Sequence, residues 1–185
     1  MTHKHATVLE DLIAGHERFR AGQPMHQQQL RDQVRATAQA QHPKAAVVTC
    51  SDSRVAPEIL FDQRLGELFV IRNAGNIVDG EDELGSIEYA VEHLGLRTIV
   101  VMGHEHCGAI EALMHHADTH APHLKRVLEH LAAEPEERTI LDDLAHHPDA
   151  VHDGVEAHVR HGVRALQDDP VVRAHHVEVA GAVYD

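Results

Sequence analysis

The sequence predicts an α/β fold with a mainly parallel sheet of four to five strands flanked by helices. Four short runs are rich in Val and Ile, and stretches with the spacing of amphipathic helices lie between them. The first three runs are continuous rather than alternating, which is typical of strands buried on both faces of a parallel sheet. The regular alternation of strand and helix favours such a sheet. The runs are Ala45–Thr49, Leu68–Ile71, Thr98–Met102 and Val177–Val183.

Four stretches carry apolar residues at helical spacing. The first opens the chain, and the second ends at Gly95 before the third strand. The last is long and closes at Asp168-Asp169-Pro170. This spacing places the apolar side chains on one helix face, which can pack against the sheet. The positions are Val8, Leu9, Leu12, Ile13 and Phe19; Leu84, Ile87, Val91 and Leu94; Leu124, Val127, Leu128 and Leu131; and Val151, Val155, Val159, Val163 and Leu166.

Length and composition indicate one compact domain over residues 1–185, with an N-terminal helical arm over 1–40 and an α/β core over 45–185. Apolar residues make up 43% of the chain, which is enough for a sizeable core. The 30 acidic residues exceed the 16 basic ones, which argues against binding of nucleic acid or of an anionic membrane surface. The chain also holds 20 histidines; beyond the candidate sites, we expect them to be exposed, solvating side chains on helices.

Cysteine usage and hydropathy point to the cytoplasm. Two cysteines are too few for a disulfide scaffold. No apolar run approaches the roughly 18 residues of a membrane helix, and the opening residues do not resemble a signal peptide. We therefore expect a protein of a reducing compartment with no membrane partner.

Two polar clusters follow predicted strands. Cys50-Ser51-Asp52-Ser53-Arg54 comes after the first strand, and His104-Glu105-His106-Cys107-Gly108 comes after the third. Ligands of open α/β sheets bind outside the carboxyl ends of the strands. If both clusters lie at that edge, the two cysteines of the chain meet there.

Cys50, His104 and Cys107 form a candidate metal site. Thiolate and imidazole favour Zn2+, and three protein ligands with one open position are typical of a catalytic zinc. In the alternative interpretation, both cysteines are small buried core residues at strand ends. The nearby side chains that could supply a fourth ligand are His106, Glu105 and Asp52.

Asp52 and Arg54 form a candidate ion pair beside this site. In an extended segment, residues two apart share a face, so the guanidinium fork can hold the carboxylate and keep it ionised. A restrained Asp52 could then accept a hydrogen bond from bound water instead of filling the fourth position. The alternative is an ordinary surface ion pair, which contributes little to stability.

Three segments in this order and spacing resemble the signature of the β-class carbonic anhydrases. They are Cys50–Arg54, Gly66–Asn76 and Gly103–Gly108. The resemblance runs from about Gln41 to Ala109. It extends more loosely to Ser86–Val91 and to Gly181–Asp185.

The resemblance implies reversible hydration of carbon dioxide to bicarbonate and a proton, through attack of zinc-bound hydroxide. One zinc ion per chain would be held by Cys50, His104 and Cys107. Asp52 and Arg54 would form the catalytic dyad. The resemblance also implies a homodimer or larger homo-oligomer, in which the N-terminal helices pack on the partner and the active site lies at the interface.

Substrate-binding residues are implied in the same way. Gln41, Phe69 and Tyr89 match pocket residues of the plant-like branch of the family, and the backbone amide of Gly108 would point at a substrate oxygen. Each has an alternative interpretation from the residues alone. Gln41 could be an amide at a helix end, while Phe69 and Tyr89 could be core residues in a chain short of aromatics.

Three features bear on the branch of the family. One branch is regulated through a non-catalytic bicarbonate site and carries Trp where this chain has Val47. This difference favours the other, unregulated branch. Arg72 and Tyr89, which the regulated branch also uses, are nevertheless present. Position 105 is commonly small and polar in the family, whereas Glu105 adds a negative charge here. Relatives usually continue beyond the position of Asp185.

Two other functions remain open on the sequence. One is a hydrolase of the same fold acting on carbonyl sulfide or carbon disulfide, which share the electrophilic carbon of carbon dioxide. The other is a non-catalytic, zinc-stabilised binding protein, which would need a blocked fourth position or a disabled dyad. The intact Asp52 and Arg54 disfavour the second.

The charge of the ligand set predicts the pH dependence of hydration. Two thiolates cancel the formal charge of Zn2+, so its pull on bound water should be weaker than that of three neutral imidazoles. The known water pKa with three histidine ligands is about 7. We therefore expect the hydration rate of the zinc-loaded protein to keep rising above pH 7 in stopped-flow measurements. A rate already constant at about pH 6.5, below that reference pKa, would contradict this charge argument.

Overall fold

The computed structural model describes residues 7–26, 30–115, 119–133, 135–143 and 149–185. In these residues four parallel strands form one sheet in the order β2-β1-β3-β4. This is the predicted α/β fold, and β1 and β3 extend past the predicted runs to reach Cys50 and His104. The strands are β1 Ala45–Cys50, β2 Leu68–Asn73, β3 Thr98–His104 and β4 Glu178–Tyr184.

Helices flank the sheet on both faces. The four predicted helices correspond to α1, α4, α6 and α8. The short helices α2, α3, α5, α7 and α9 were not predicted, because four to eight residues carry too little apolar periodicity to be recognised. The helices are α1 Val8–Arg20, α2 Leu30–Ala36, α3 Pro57–Leu60, α4 Glu81–Glu92, α5 Gly108–Met114, α6 Pro122–Ala133, α7 Pro135–Asp142, α8 Ala150–Asp168 and α9 Pro170–Ala174.

Burial differs between the central and the edge strands. Every residue of β1 and β3 is buried, as their continuous apolar runs predicted. The same prediction was wrong for β2, where only Leu68 is buried and Arg72 is exposed. The reason is that β2 lies at an edge of the sheet and has a neighbour on one side within the chain.

Alternation along the central strands divides the core in two. Val47 and Val100 lie in a cluster with residues of α1, α5 and α6, which we call the first core cluster. Val48 and Val101 lie in a cluster with residues of α4, α8 and α9, the second core cluster. Successive strand residues point to opposite faces, so each central strand contributes to both clusters. None of the described helices has the length and apolar content needed to cross a bilayer.

The helix α1 packs on its own chain. Thr7 and Glu10 form a capping box at its start, and Leu12 is fully buried. Near its end, Arg18 pairs with the buried Asp62 at 2.6 Å. The opposite side of α1 remains open, with Ile13 52% exposed. Packing of the N-terminal arm on a dimer partner therefore stays a prediction for that open side.

Replacing Gly15 of α1 by Ala should destabilise the fold, although Ala normally favours a helix. A Cβ at this position would overlap the carbonyl oxygen of Phe61. We expect a loss of about 1–3 kcal/mol in the free energy of unfolding, measured by urea denaturation. In the matched control Gly85→Ala of α4, the new Cβ meets nothing within 4 Å. This control should gain about 0.5–1 kcal/mol, and a similar gain for Gly15→Ala would contradict the described packing of α1.

Candidate metal centre

The side chains predicted to bind a metal meet where β1 and β3 end. Cys50 is the last residue of β1, His104 is the last of β3, and Cys107 is the N-cap of α5. The two strands pair directly and in parallel, so their carboxyl ends are neighbours. The sulfur atoms of Cys50 and Cys107 lie 3.9 Å apart. One ligand atom from each of the three residues lies within 4.8 Å of the other two.

The imidazole of His104 is oriented for metal binding. Its Nδ1 lies 2.9 Å from the carbonyl oxygen of Glu105, and a carbonyl can only accept a hydrogen bond. Nδ1 therefore carries the proton, and Nε2 is left with a lone pair. Nε2 is buried and has no hydrogen-bond partner among the described residues. A buried nitrogen without a partner is costly in a purely structural core, so the donor set fits a metal ion better than core packing.

The two thiols share their protons unequally. The pKa of Cys50 is lowered to about 3, chiefly by its hydrogen bond with Cys107, and the imidazole of His104 and the backbone amides of Gly75 and Asp52 add to this effect. The pKa of Cys107 is raised by the same hydrogen bond and by burial. Without a metal, the two sulfurs therefore share one proton. A divalent cation bound by both sulfurs would displace the remaining proton.

Asp52 is held by a two-point contact with Arg54. The Nε and Nη2 atoms of Arg54 donate to the two carboxylate oxygens at 2.9 and 2.8 Å, and its backbone amide donates to Oδ1 at 2.9 Å. These bonds hold the pKa of Asp52 well below its ordinary value. Nη2 also donates to the carbonyl oxygen of His106 at 2.9 Å. This geometry joins the two polar clusters, which an ordinary surface ion pair would not do.

The side chain of His106 lies outside the cluster. It is 78% exposed, and its nearest acidic partner is Glu111 at 3.7 Å. The backbone of His106 is in the left-handed region, with φ of 54°. This tight turn between His104 and Cys107 directs the intervening ring away from the ligand atoms. Among the described residues, neither His106, Glu105 nor Asp52 belongs to the metal-ligating group.

Arg72 supports the site, although the sequence marked it only as a residue shared with the regulated branch. Its Nε donates to the carbonyl oxygen of Cys50 at 3.0 Å, and its Nη2 donates to that of Asp52 at 2.6 Å. Arg72 stands opposite Thr49 in the β1–β2 register. The one signal in the sequence that could have indicated this role is the position of Arg72 directly after the predicted strand Leu68–Ile71.

Histidines hold the loops around the site. His158 of α8 is 2% exposed, and its Nε2 donates to the carbonyl oxygen of Gly75 at 2.5 Å. His130 of α6 lies 2.8 Å from the carboxylate of Asp79. The expectation that the remaining histidines are exposed and solvating was therefore wrong for His158, because its partner is a carbonyl group in a loop far away in sequence.

His152, at the start of α8, is paired with Glu105, which lies between His104 and Cys107 in the sequence. Its Nδ1 lies 2.7 Å from the carboxylate of Glu105. The pKa of His152 is raised, chiefly because Glu105 accepts this hydrogen bond. The negative charge that Glu105 adds beside the site is therefore paired with the imidazole of His152.

Of the predicted substrate-binding residues, Gly108 directly follows Cys107, whereas Phe69 and Tyr89 lie away from the cysteines. The rings of Phe69 and Tyr89 are 6.1 Å apart, and Tyr89 is 45% exposed. Phe69 packs against the second core cluster, whereas Cys50 and Cys107 belong to the first. The two remaining predicted residues are Gln41, which is exposed before β1, and Gly108, the first residue of α5. Their roles in substrate binding stay predictions.

The fold and the candidate site together define a parallel α/β protein in which two cysteines and one histidine, placed to hold a metal ion, lie at the carboxyl edge of the sheet. A family model described as carbonic anhydrase matches residues 45–185. The chain is 30% identical to a solved β-carbonic anhydrase, CcaA, with a TM-score of 0.74 over 97% of this chain and 84% of that one. The chain belongs to the carbonic anhydrase family, and within it to the β class.

Two curated relatives show the extent of the similarity. A carbonic anhydrase of Mycolicibacterium smegmatis is 53% identical over 100 residues, which cover 54% of this chain and 48% of that protein. A carbonic anhydrase of Synechococcus elongatus is 34% identical over 191 residues, covering 96% of this chain and 68% of that protein. The chain thus spans about half the length of the first relative and about two thirds of the second.

Removing the imidazole of His104 should abolish stoichiometric zinc binding, whereas removing its neighbour should not. We expect His104→Ala to lose zinc because the cluster then has two ligands, and His106→Ala to retain it because that ring points to solvent. Elemental analysis of purified protein after gel filtration measures zinc per chain. A His106→Ala protein as depleted as His104→Ala would show that the ligand set is wrong.

Proposed function

We propose that the protein is a zinc-dependent carbonic anhydrase that interconverts carbon dioxide with bicarbonate and a proton. One observation carries this proposal. Three metal-ligating atoms converge at one edge of the sheet, and the adjacent carboxylate of Asp52 is clamped by Arg54 outside that group. This arrangement leaves a fourth position for solvent that none of the described residues fills.

Zinc is the metal that the donor set favours. Thiolate sulfur and imidazole nitrogen select zinc over magnesium or calcium, which prefer oxygen ligands. Cys50, Cys107 and the Nε2 atom of His104 would hold one ion per chain. When bound there, zinc would lower the pKa of water at its open position and thereby supply a nucleophile for carbon dioxide.

Asp52 would orient the attacking water. Its Oδ1 accepts two hydrogen bonds from Arg54, whereas Oδ2 accepts one. A carboxylate oxygen has two lone pairs, so Oδ2 retains an acceptor position for the O–H group of water. Because Arg54 keeps the pKa of Asp52 low, this acceptor stays ionised at neutral pH. A charged acceptor of fixed orientation restricts the water to one direction of attack.

A second copy of the chain would complete the substrate pocket. One chain leaves Tyr89 half exposed and packs Phe69 with the second core cluster. Gln41, Phe69 and Tyr89 would then bind carbon dioxide in the pocket of the partner, with the amide of Gly108 facing a substrate oxygen. The exposed apolar side chains of Leu30 and Val34 on α2 support a homodimer or larger homo-oligomer.

The cytoplasm is the proposed location. Cys50 and Cys107 are free cysteines, and both must stay reduced to bind a metal. A reducing compartment meets this requirement, whereas an oxidising one favours disulfides.

Hydrolysis of carbonyl sulfide or carbon disulfide remains the alternative activity, because these molecules offer a similar electrophilic carbon to the same nucleophile. Stopped-flow hydration of carbon dioxide, with sulfide release from the other two substrates measured in parallel, separates the activities. Rapid hydration without sulfide release supports the proposal. Sulfide release without hydration would replace it, and loss of both activities in a zinc-loaded protein would favour a non-catalytic role.

The change Asp52→Asn should leave zinc binding intact and slow turnover. An amide keeps the shape of the side chain but weakens acceptance from water and the pairing with Arg54. Loss of a hydrogen bond to a charged group corresponds to about a 10- to 100-fold decrease in kcat.

The matched control is Asp168→Asn, the same change at an exposed position near the end of α8. It should leave both zinc content and turnover unchanged. If Asp52→Asn turned over at the normal rate, the carboxylate of Asp52 would have no role in the mechanism.

A further inference from the structure

The residue that follows the metal ligand His104 is held at three separate points. The backbone amide of Glu105 donates to the carbonyl oxygen of Tyr184 at 2.9 Å. Its own carbonyl oxygen accepts from Nδ1 of His104 at 2.9 Å. Its carboxylate accepts from Nδ1 of His152 at 2.7 Å. The first contact continues the β3–β4 ladder, the second orients the ligand ring, and the third connects the loop to α8.

His152 is itself well placed to hold this residue. It lies in the first turn of α8, where its backbone amide donates to the N-cap side chain of Asp149 at 3.3 Å. A carboxylate can only accept, so Nδ1 of His152 is the donor in the contact with Glu105. The Nε2 atom faces Glu156 at 3.7 Å. The ring is thus held between two carboxylates, and the side chain of Glu105 is mostly shielded from solvent, at 21% exposed.

The orientation of the peptide between Glu105 and His106 determines where the lone pair of Nε2 points. The ring is fixed by the hydrogen bond from Nδ1 to the carbonyl oxygen of Glu105, so a rotation of that peptide turns the ligand atom away from the sulfurs. Groups that orient metal-bound histidines in this way commonly change metal affinity by about 10- to 100-fold when they are removed.

We propose that His152 is a positioning residue for His104, acting through Glu105. This inference rests on the proposed metal centre, since it concerns how tightly and with which geometry that centre holds its ion. It also gives Glu105, the acidic residue that departs from the common pattern of the family, a specific partner on α8.

The proposal predicts weaker metal binding when either end of the contact is removed. His152→Ala and Glu105→Ala should each weaken zinc affinity by up to about 10-fold, the lower end of the range for direct partners of a metal-bound histidine, measured by competition with a chromophoric chelator. Both should also shift the visible absorption bands of the cobalt-substituted protein, because the ligand field changes when the imidazole rotates. A loss of stability alone would not move these bands.

Two further variants test the route of the effect. Asn at position 152 can place its amide nitrogen near the position of the histidine Nδ1, so His152→Asn should restore most of the affinity. In the Glu105→Ala background, His152→Ala should cause no further loss, since its partner is already absent. The matched control is His123→Ala, which removes an exposed histidine from the first turn of α6 and should match the wild type.

The outcomes distinguish the inference from the function on which it rests. Wild-type zinc affinity and cobalt spectrum in His152→Ala would overturn the positioning role and leave the metal centre intact. An equal loss caused by His152→Ala in the presence and absence of Glu105 would overturn the route through that residue. A wild-type chain that binds no zinc would overturn the metal centre and this inference together. If His152→Ala does not fold, Glu105→Ala tests the same contact from its other end.

Discussion

The parallel pairing of β1 with β3 is the constraint on which the candidate site depends. Its register places Thr49 opposite Met102, so that Cys50 and His104 emerge at the same edge of the sheet. A shift of the β1–β3 register by one residue would turn the side chains of one strand to the opposite face of the sheet. Cys50 and His104 would then no longer lie together. The complete burial of both strands makes such a shift costly, since every core side chain would move with it. The hydrophobic core thus fixes the geometry of the polar site.

Backbone carbonyl groups near the ligands are held by side chains from other elements. Arg72 binds the carbonyl groups of Cys50 and Asp52, and Arg54 binds that of His106. His158 binds that of Gly75. These contacts satisfy carbonyl groups in tight loops, where regular secondary structure offers no partner. They also restrict the loops from which the sulfur and nitrogen ligands project.

The close approach of α8 to the sheet makes the histidine contacts feasible. A Cβ on Gly103, next to His104, would lie 2.7 Å from the side chain of Val159. A Cβ on Gly154 would lie 2.5 Å from that of Met114. Both glycines therefore let α8 pack directly over β3 and α5. At that distance, its histidine side chains reach the loops beside the candidate metal centre. The packing of a helix is thus linked to the orientation of the predicted ligands.

Hydrophobic patterning was enough to predict a mainly parallel sheet of four to five strands, and the positions of the strand ends were enough to predict that Cys50, His104 and Cys107 meet at one edge of it. The sequence also indicated the pairing of Asp52 with Arg54, a local contact. Tertiary structure alone decided that β2 is a half-exposed edge and that α8 supports the site. The contacts that reveal this support join residues 47 and 83 positions apart. Hydrogen bonds over such separations leave no periodic signal in a sequence, since they depend on how whole elements pack.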